Sequence, residues 1–150
     1  MFIFTHLKII VIFVVRYELH ELRRIKMTDI LYKDESYKII GSCFSVHRKL
    51  GSGFLESVYQ EALEKQFIED GIPYVREKKL RIQFDTIQLD KYFKSDFVCF
   101  DGIIVELKAT PFIYQKDMDQ TVNYLKATNV KLGLLVCFGS KSLTYKRLIN

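Results

Sequence analysis

The chain has 150 residues and a mass of 17.7 kDa, enough for one domain with a single sizeable core. Hydrophobic residues make up 49% and charged residues 27%, which excludes a disordered tail, a collagen-like fibre and a multi-pass membrane protein. The net charge of +5 is unevenly placed: residues 1–27 hold five basic and two acidic residues, leaving 18 and 16 for residues 28–150. The body of the chain is not strongly basic, so charge alone gives weak support for a nucleic-acid partner.

Residues 1–27 read as an N-terminal extension. Their longest apolar run, Ile9 to Val15, has seven residues, against the ~20 that a membrane-spanning helix needs. The segment lacks Ala, Gly and Ser, so it offers no small-residue cleavage site for a signal peptide. It is either a short peripheral or partner-binding amphipathic segment or an extension upstream of the real start, and the ordinary opening at Met27 favours the second. No stable membrane insertion is expected. Cys43, Cys99 and Cys137 lie far apart in apolar surroundings, with no Cys or His at metal-ligand spacing. They read as buried free thiols of a reducing compartment, the cytoplasm.

Residues 28–150 read as a single domain. Ile39, Ile40, Cys43, Phe44, Val46 and Leu50 follow helical spacing up to Gly51. A second helix follows Ser52-Gly53, with Leu55, Val58, Tyr59, Ala62, Leu63 and Phe67 as its buried stripe, and Gly71 and Pro73 stop it. Beyond Pro73 the period falls to two: Leu80, Ile82 and Phe84 alternate with polar residues in a half-buried strand. A polar turn over Asp85–Asp90 leads to a second strand, about Tyr92 to Cys99, and Asp101-Gly102 turns into a third, Ile103 to Ala109. Gln115 to about Ala127 is helical, with Met118, Val122 and Leu125 on one side and Asn129 as a left-handed cap. Leu132–Phe138 reads as a strand covered on both faces, and Leu143–Ile149 as the last strand. The order is ααβββαββ. That is an α+β fold, one sheet packed by helices.

The turn at Asp101-Gly102 decides the chemistry. A two-residue loop would mix charged and bulky apolar side chains on both faces of the hairpin. A three-residue loop, Phe100-Asp101-Gly102, pairs Cys99 with Ile103 and places Gly102 where a left-handed residue is wanted. One face then collects Phe97, Cys99, Ile103, Val105 and Leu107. The other sets Asp96 opposite Glu106, with Lys108 next along and Val98 and Ile104 nearer the turn. A one-residue slip exchanges the faces, so the clean division fixes the register. Opposed carboxylates have Cβ atoms ~5 Å apart and repel, whereas a bridging divalent cation makes the pair favourable. Mg2+, or Mn2+, suits one or two carboxylates completed by water and substrate phosphate. Lys108 supplies a positive charge at the same place. Aspartate, Glu-x-Lys and metal together suit phosphodiester hydrolysis. The plainer alternative is a solvated face of an amphipathic hairpin.

At these residues the sequence resembles the PD-(D/E)XK nuclease superfamily, with Asp96 at the first acidic position and Glu106-Leu107-Lys108 as the tripeptide; Ser95 stands where the name has proline. More narrowly it resembles the GxxExxY proteins, through Gly53-Phe54-Leu55-Glu56-Ser57-Val58-Tyr59 within VHRKLGSGFLESVYQEAL. The likeness spans roughly residues 30–149. It implies a nuclease-like core (an α/β sandwich with a mixed central sheet flanked by helices) and makes Glu56 a further acidic group and metal ligand at the centre. Gln120 and Tyr124, one helical turn apart, match the Q-x-x-x-Y element of RecB-like nucleases, where such residues shape the site. His47 reads as a packed histidine and is left outside the site.

The leading function is therefore a Mg2+- or Mn2+-dependent nuclease acting on DNA first and RNA second. Asp96, Glu106 and Glu56 would hold metal, and Lys108, Glu56, Gln120 and Tyr124 would form the catalytic set. A non-catalytic nucleic-acid- or protein-binding module with the same fold is the alternative, and an enzyme acting on another phosphoester is a third. Lys78, Lys79 and Arg81 beside Lys91 and Lys94 form either a basic rim or a lysine-protected sheet edge. Strand type, endo or exo mode, and the need for a protein partner or homo-oligomer stay open.

Overall fold

The computed structural model describes residues 15–19 and 32–150. The chain divides into two units, residues 1–33 and 34–150. In the first, residues 15–19 are helical with exposed side chains; the remaining expectations for residues 1–27 fall outside the described residues. No helix among the described residues is long and apolar enough to cross a membrane.

Helix α1, Lys33–Leu50, carries Asp34 and Glu35 in its first turn and His47, Arg48 and Lys49 in its last, as its dipole favours. Ile39, Ile40, Cys43 and Val46 form its buried stripe. Gly51, at φ +71°, ends it through a hydrogen bond from its N–H to the His47 carbonyl, a conformation that favours glycine. Helix α2, Glu56–Glu69, buries Tyr59, Leu63 and Phe67 at four-residue spacing. Leu55 and Val58, expected in that stripe, are exposed. The core-facing stripe begins at Tyr59, because the first turn of α2 is given over to Glu56 and its surroundings.

Seven strands follow among the described residues, where five were expected. They are β1 (Tyr74–Arg76), β2 (Lys79–Phe84), β3 (Ile87–Lys94), β4 (Phe97–Cys99), β5 (Ile103–Lys108), β6 (Leu132–Cys137) and β7 (Thr144–Ile149), with α3 (Gln115–Thr128) between β5 and β6. The strand expected over Tyr92–Cys99 is two strands in two sheets. At Ser95-Asp96 the chain leaves the β2–β3 hairpin for the central sheet, and backbone bonds from Ser95 to Lys78 (3.1 Å) and from Glu77 to Asp96 (2.9 Å) hold the junction. The turn expected over Asp85–Asp90 is shorter, since β3 already begins at Ile87 with Asp85 left-handed before it. Leu80 and Ile82 are half-buried, but Phe84 lies at the hairpin tip opposite Ile87, and both are exposed.

The central sheet has the order β1-β4-β5-β6-β7, with β5 and β6 parallel and the other pairs antiparallel. It is a mixed sheet flanked by helices, as expected of this α+β fold. On one face Phe97 meets Phe67 of α2 edge-on at 5.2 Å, and Tyr59 stacks on Phe138 at 4.6 Å. On the other, Val98 and Ile104 pack with Leu125 of α3 and Phe93 of β3. Strand β6 is buried throughout. On α3 the buried residues are Asp117, Thr121 and Leu125, while Met118 and Val122 are only half-buried. Asn129 caps α3 at φ +54°, the left-handed conformation expected of it.

The β4–β5 register is the one the clean faces require: Phe97 pairs with Val105, Val98 with Ile104 and Cys99 with Ile103. The turn itself differs. Phe100 and Asp101 take positive φ, at 51° and 57°, whereas Gly102 does not. The Gly102 N–H returns to the Cys99 carbonyl at 3.2 Å, so Phe100-Asp101 form the left-handed pair of a primed turn and Gly102 follows it.

Candidate active site

The acids meet where β4 enters the sheet and β5 leaves it. Asp96, just before β4, accepts two hydrogen bonds: the Leu107 N–H reaches its Oδ2 at 2.8 Å and the Gln60 amide its Oδ1 at 2.9 Å. Gln60 is itself oriented, because Arg76 Nη2 donates to its Oε1 at 2.9 Å and Arg76 Nη1 pairs with Glu64 at 2.6 Å. This chain of contacts fixes which way the Gln60 amide points, and so fixes Asp96.

Glu106 interrupts a strand whose neighbours Val105 and Leu107 are wholly buried. Its Oε1 is buried without a hydrogen-bond partner. Burial first, and the Asp96 charge second, push the Glu106 carboxyl up to about 8. Asp96 is also raised by burial, against the Leu107 and Lys108 interactions that lower it. Glu56, the first residue of α2, accepts from the Ala109 backbone and is raised by burial and by Asp96. Glu56, Asp96, Glu106 and Lys108 are thus one electrostatic cluster.

A fifth member escaped that reading. Asp117, on the first turn of α3, is buried and lies 3.8 Å from Lys108 Nζ. A single aspartate in an amphipathic helix carries no spacing signal, and the loop from Lys108 to α3 alone brings it round. The centre therefore sets four carboxyl groups around one ammonium, and burial raises three of them. A divalent cation would relieve that repulsion.

The donor set fits such an ion in a specific way. Among the described residues, no three His, Cys, Asp or Glu side chains are drawn together as a ready-made metal cage. Mg2+ needs no such cage; one or two carboxylates with water and substrate phosphate suffice. Asp96 and the unpartnered Glu106 oxygen would be the candidate pair.

Gln120 and Tyr124 stand apart from this cluster. Gln120 donates to Tyr124 Oη at 2.7 Å, and the Tyr124 ring stacks flat on Phe93 at 3.7 Å. Their visible work is to seat the β2–β3 hairpin on α3. Among the described residues, no hydrogen bond or ion pair ties either one to Asp96, Glu106 or Lys108. His47 bonds the Ser140 carbonyl at 2.9 Å beside Phe138, a packed histidine as expected. The three cysteines are free and buried, and burial pushes Cys99 up to about 12, which leaves no thiolate near neutral pH.

Residues of the Gly53–Tyr59 motif shape the approach to Glu56. The Tyr59 hydroxyl donates to the Gly51 carbonyl at 2.6 Å and accepts the Phe54 N–H at 3.2 Å, pinning the loop that precedes α2. From the other side, the Gly139 N–H reaches the Thr110 carbonyl at 3.2 Å and the Phe138 N–H that of Lys108 at 2.8 Å. A Cβ at Gly139 would collide with the backbone of Ala109 and Thr110, so only glycine permits this approach behind Lys108.

Searches of curated proteins and of solved structures return no match. A family model described as the PD-(D/E)XK nuclease superfamily matches residues 33–148, from the start of α1 into β7. Because that match covers well over half of the chain, the chain belongs to the PD-(D/E)XK nuclease superfamily.

Proposed function

We propose that this protein is a divalent-metal-dependent nuclease that hydrolyses phosphodiester bonds, of DNA before RNA. The observation that carries the proposal is the buried Glu106 oxygen with no partner, facing Asp96 and flanked by Lys108. Asp96 and Glu106 would hold Mg2+ or Mn2+, with Glu56 as a further ligand from α2. When bound, such an ion supplies charge for the phosphate and lowers the pKa of water. The protein's own part is positional. Gln60 and the Leu107 N–H hold the Asp96 carboxylate in one orientation, and Asp117 keeps the Lys108 ammonium beside Glu106, where it would support charge developing on the phosphate.

Within the superfamily we place the chain with the GxxExxY proteins, on the Gly53, Glu56 and Tyr59 signature of its sequence. The RecB-like roles of Gln120 and Tyr124 rest on the sequence pattern alone. We take residues 28–150 as the single nuclease-like domain and residues 1–27 as its extension. Buried free thiols support a cytoplasmic setting.

The test is cleavage of single- and double-stranded DNA and RNA by the full chain with Mg2+, Mn2+ or EDTA, beside Lys108→Ala and Glu106→Ala. Metal-dependent product lost in both variants supports the nuclease. Salt-sensitive binding without product, even in Mn2+, supports a non-catalytic module instead. Product from small phosphoesters alone points to the third class.

A further inference from the structure

Both helices that open onto the acidic centre begin in an unusual way. The N-cap of α2 is Leu55 and that of α3 is Tyr114, and neither makes a side-chain capping bond. Ser, Thr, Asp or Asn is favoured at such positions. Here the loops ahead of Glu56 and Asp117 instead present large apolar side chains to solvent: Phe54 and Leu55 on one, Phe112 and Tyr114 on the other. A rule of local structure is broken twice, both times beside the same cluster of acids.

The backbone that carries these rings is held rather than loose. The Phe112 carbonyl accepts from Thr110 Oγ1 at 2.9 Å and from Cys137 Sγ at 3.5 Å, and Pro111 precedes it, yet the residue is 67% exposed. Phe54 is fixed by its N–H to Tyr59 and packs edge-on against that ring at 6.1 Å, leaving a face free. Lys116 Nζ lies 5.7 Å from the Tyr114 ring, so a cation accompanies the aromatic surface. The backbone is ordered and the ring is left in water. Folding gains nothing from that arrangement.

We propose that Phe54, Phe112 and Tyr114 form a stacking surface for unpaired bases, so that the centre takes single-stranded nucleic acid. The inference rests on the nucleic-acid reading above and narrows it to a substrate class. Every base offers a flat face to an aromatic ring only when it is unpaired and unstacked from its strand, whereas a duplex presents phosphates and groove edges. Lys116 and Lys108 supply the charge that a phosphate chain requires beside such a surface.

The experiment is a binding titration of the full chain in Ca2+, so that a divalent cation is present and binding is the readout. The probes are a labelled 12-nucleotide oligothymidylate, its duplex with oligoadenylate, and an abasic phosphate chain of equal length. The oligothymidylate binds about tenfold or more tightly than the abasic chain, as one or two stacked bases require. Phe112→Ala with Tyr114→Ala removes that difference without moving the melting temperature, since both side chains are exposed. The chain has no tryptophan, so Phe112→Trp creates a single reporter. Its fluorescence is quenched by the oligothymidylate and not by the abasic chain. Equal, salt-dependent affinity for all three probes overturns the stacking surface and leaves the nuclease reading standing. Failure to bind any nucleic acid overturns both. A change of oligomeric state in the alanine variant, with base-dependent binding intact, makes the patch a protein interface and refutes the proposal.

Discussion

The Asp96 carboxylate accepts the backbone N–H of Leu107 at 2.8 Å, so an acidic side chain replaces a strand partner between Glu106 and Lys108. The regular β4–β5 ladder ends at Phe97 and Val105. Beyond it, Asp96 holds the two strands together and holds its own oxygens in place. Structure and chemistry share one group.

Asp96→Ala therefore disturbs more than the proposed metal site. It leaves the Leu107 N–H and the Gln60 amide without an acceptor, a loss of about 1–3 kcal/mol. Asp96→Asn keeps an oxygen for one of the two donors and loses less. Urea unfolding in EDTA, read as a shift of midpoint at constant slope, separates the two variants.

The raised Glu106 carboxyl makes a prediction about pH. In the folded protein it stays protonated up to about 8, whereas an unfolded chain loses that proton near the usual 4.5. Between those values the folded state binds more protons, so stability is highest below the lower value and is lost as pH rises through the upper one. Glu56 and Asp96, also raised, act in the same direction. Metal-free protein is expected to melt progressively lower from pH 5 to pH 9, and Glu106→Gln to flatten that slope.

Asp117→Asn is expected to leave metal binding nearly intact while lowering cleavage by about 10- to 100-fold, because Lys108 loses the carboxylate that positions it. Measuring Mn2+ affinity beside turnover distinguishes this from a lost ligand. Equal loss of both would make Asp117 a metal ligand instead.

At Gly139 the expected effect is steric. Gly139→Ala drives a methyl group into the Ala109 and Thr110 backbone, at a cost of about 1–3 kcal/mol or more, and displaces the end of β5 that carries Lys108. Thermal melting and cleavage should both fall. A variant that melts like the parent would show that the close approach is not maintained in solution.

Elements with strong periodicity were legible in the sequence: α1 and α3, the apolar run of β6, the Asn129 cap, and the β4–β5 register. From that register Asp96, Glu106 and Lys108 could be placed together. Other features left little trace. Strand β1 is three residues long, too short for alternation to register. The change of sheet at Ser95 breaks one apolar pattern into two without a glycine or proline to mark it. Phe100 took a left-handed conformation that an aromatic residue seldom adopts, so glycine was the natural but wrong choice for that role. Asp117 and the Gln60–Arg76 support depend on contacts between distant elements, which spacing along one element cannot reveal. Leu55 and Val58 sit at helical spacing, which normally marks a core face, yet both are exposed in the first turn around Glu56.

If Asp96 and Glu106 hold a divalent cation, calorimetric titration of the full chain with Mn2+ at pH 7 will detect it. Run in two buffers of different ionisation enthalpy, the titration also counts protons. One binding event that releases about one proton is expected, since Glu106 is largely protonated beforehand and must ionise to serve as a ligand. Glu106→Gln should bind more weakly and release none. Absence of Mn2+ binding, or binding undiminished in both Glu106→Gln and Asp96→Asn, would contradict that assignment.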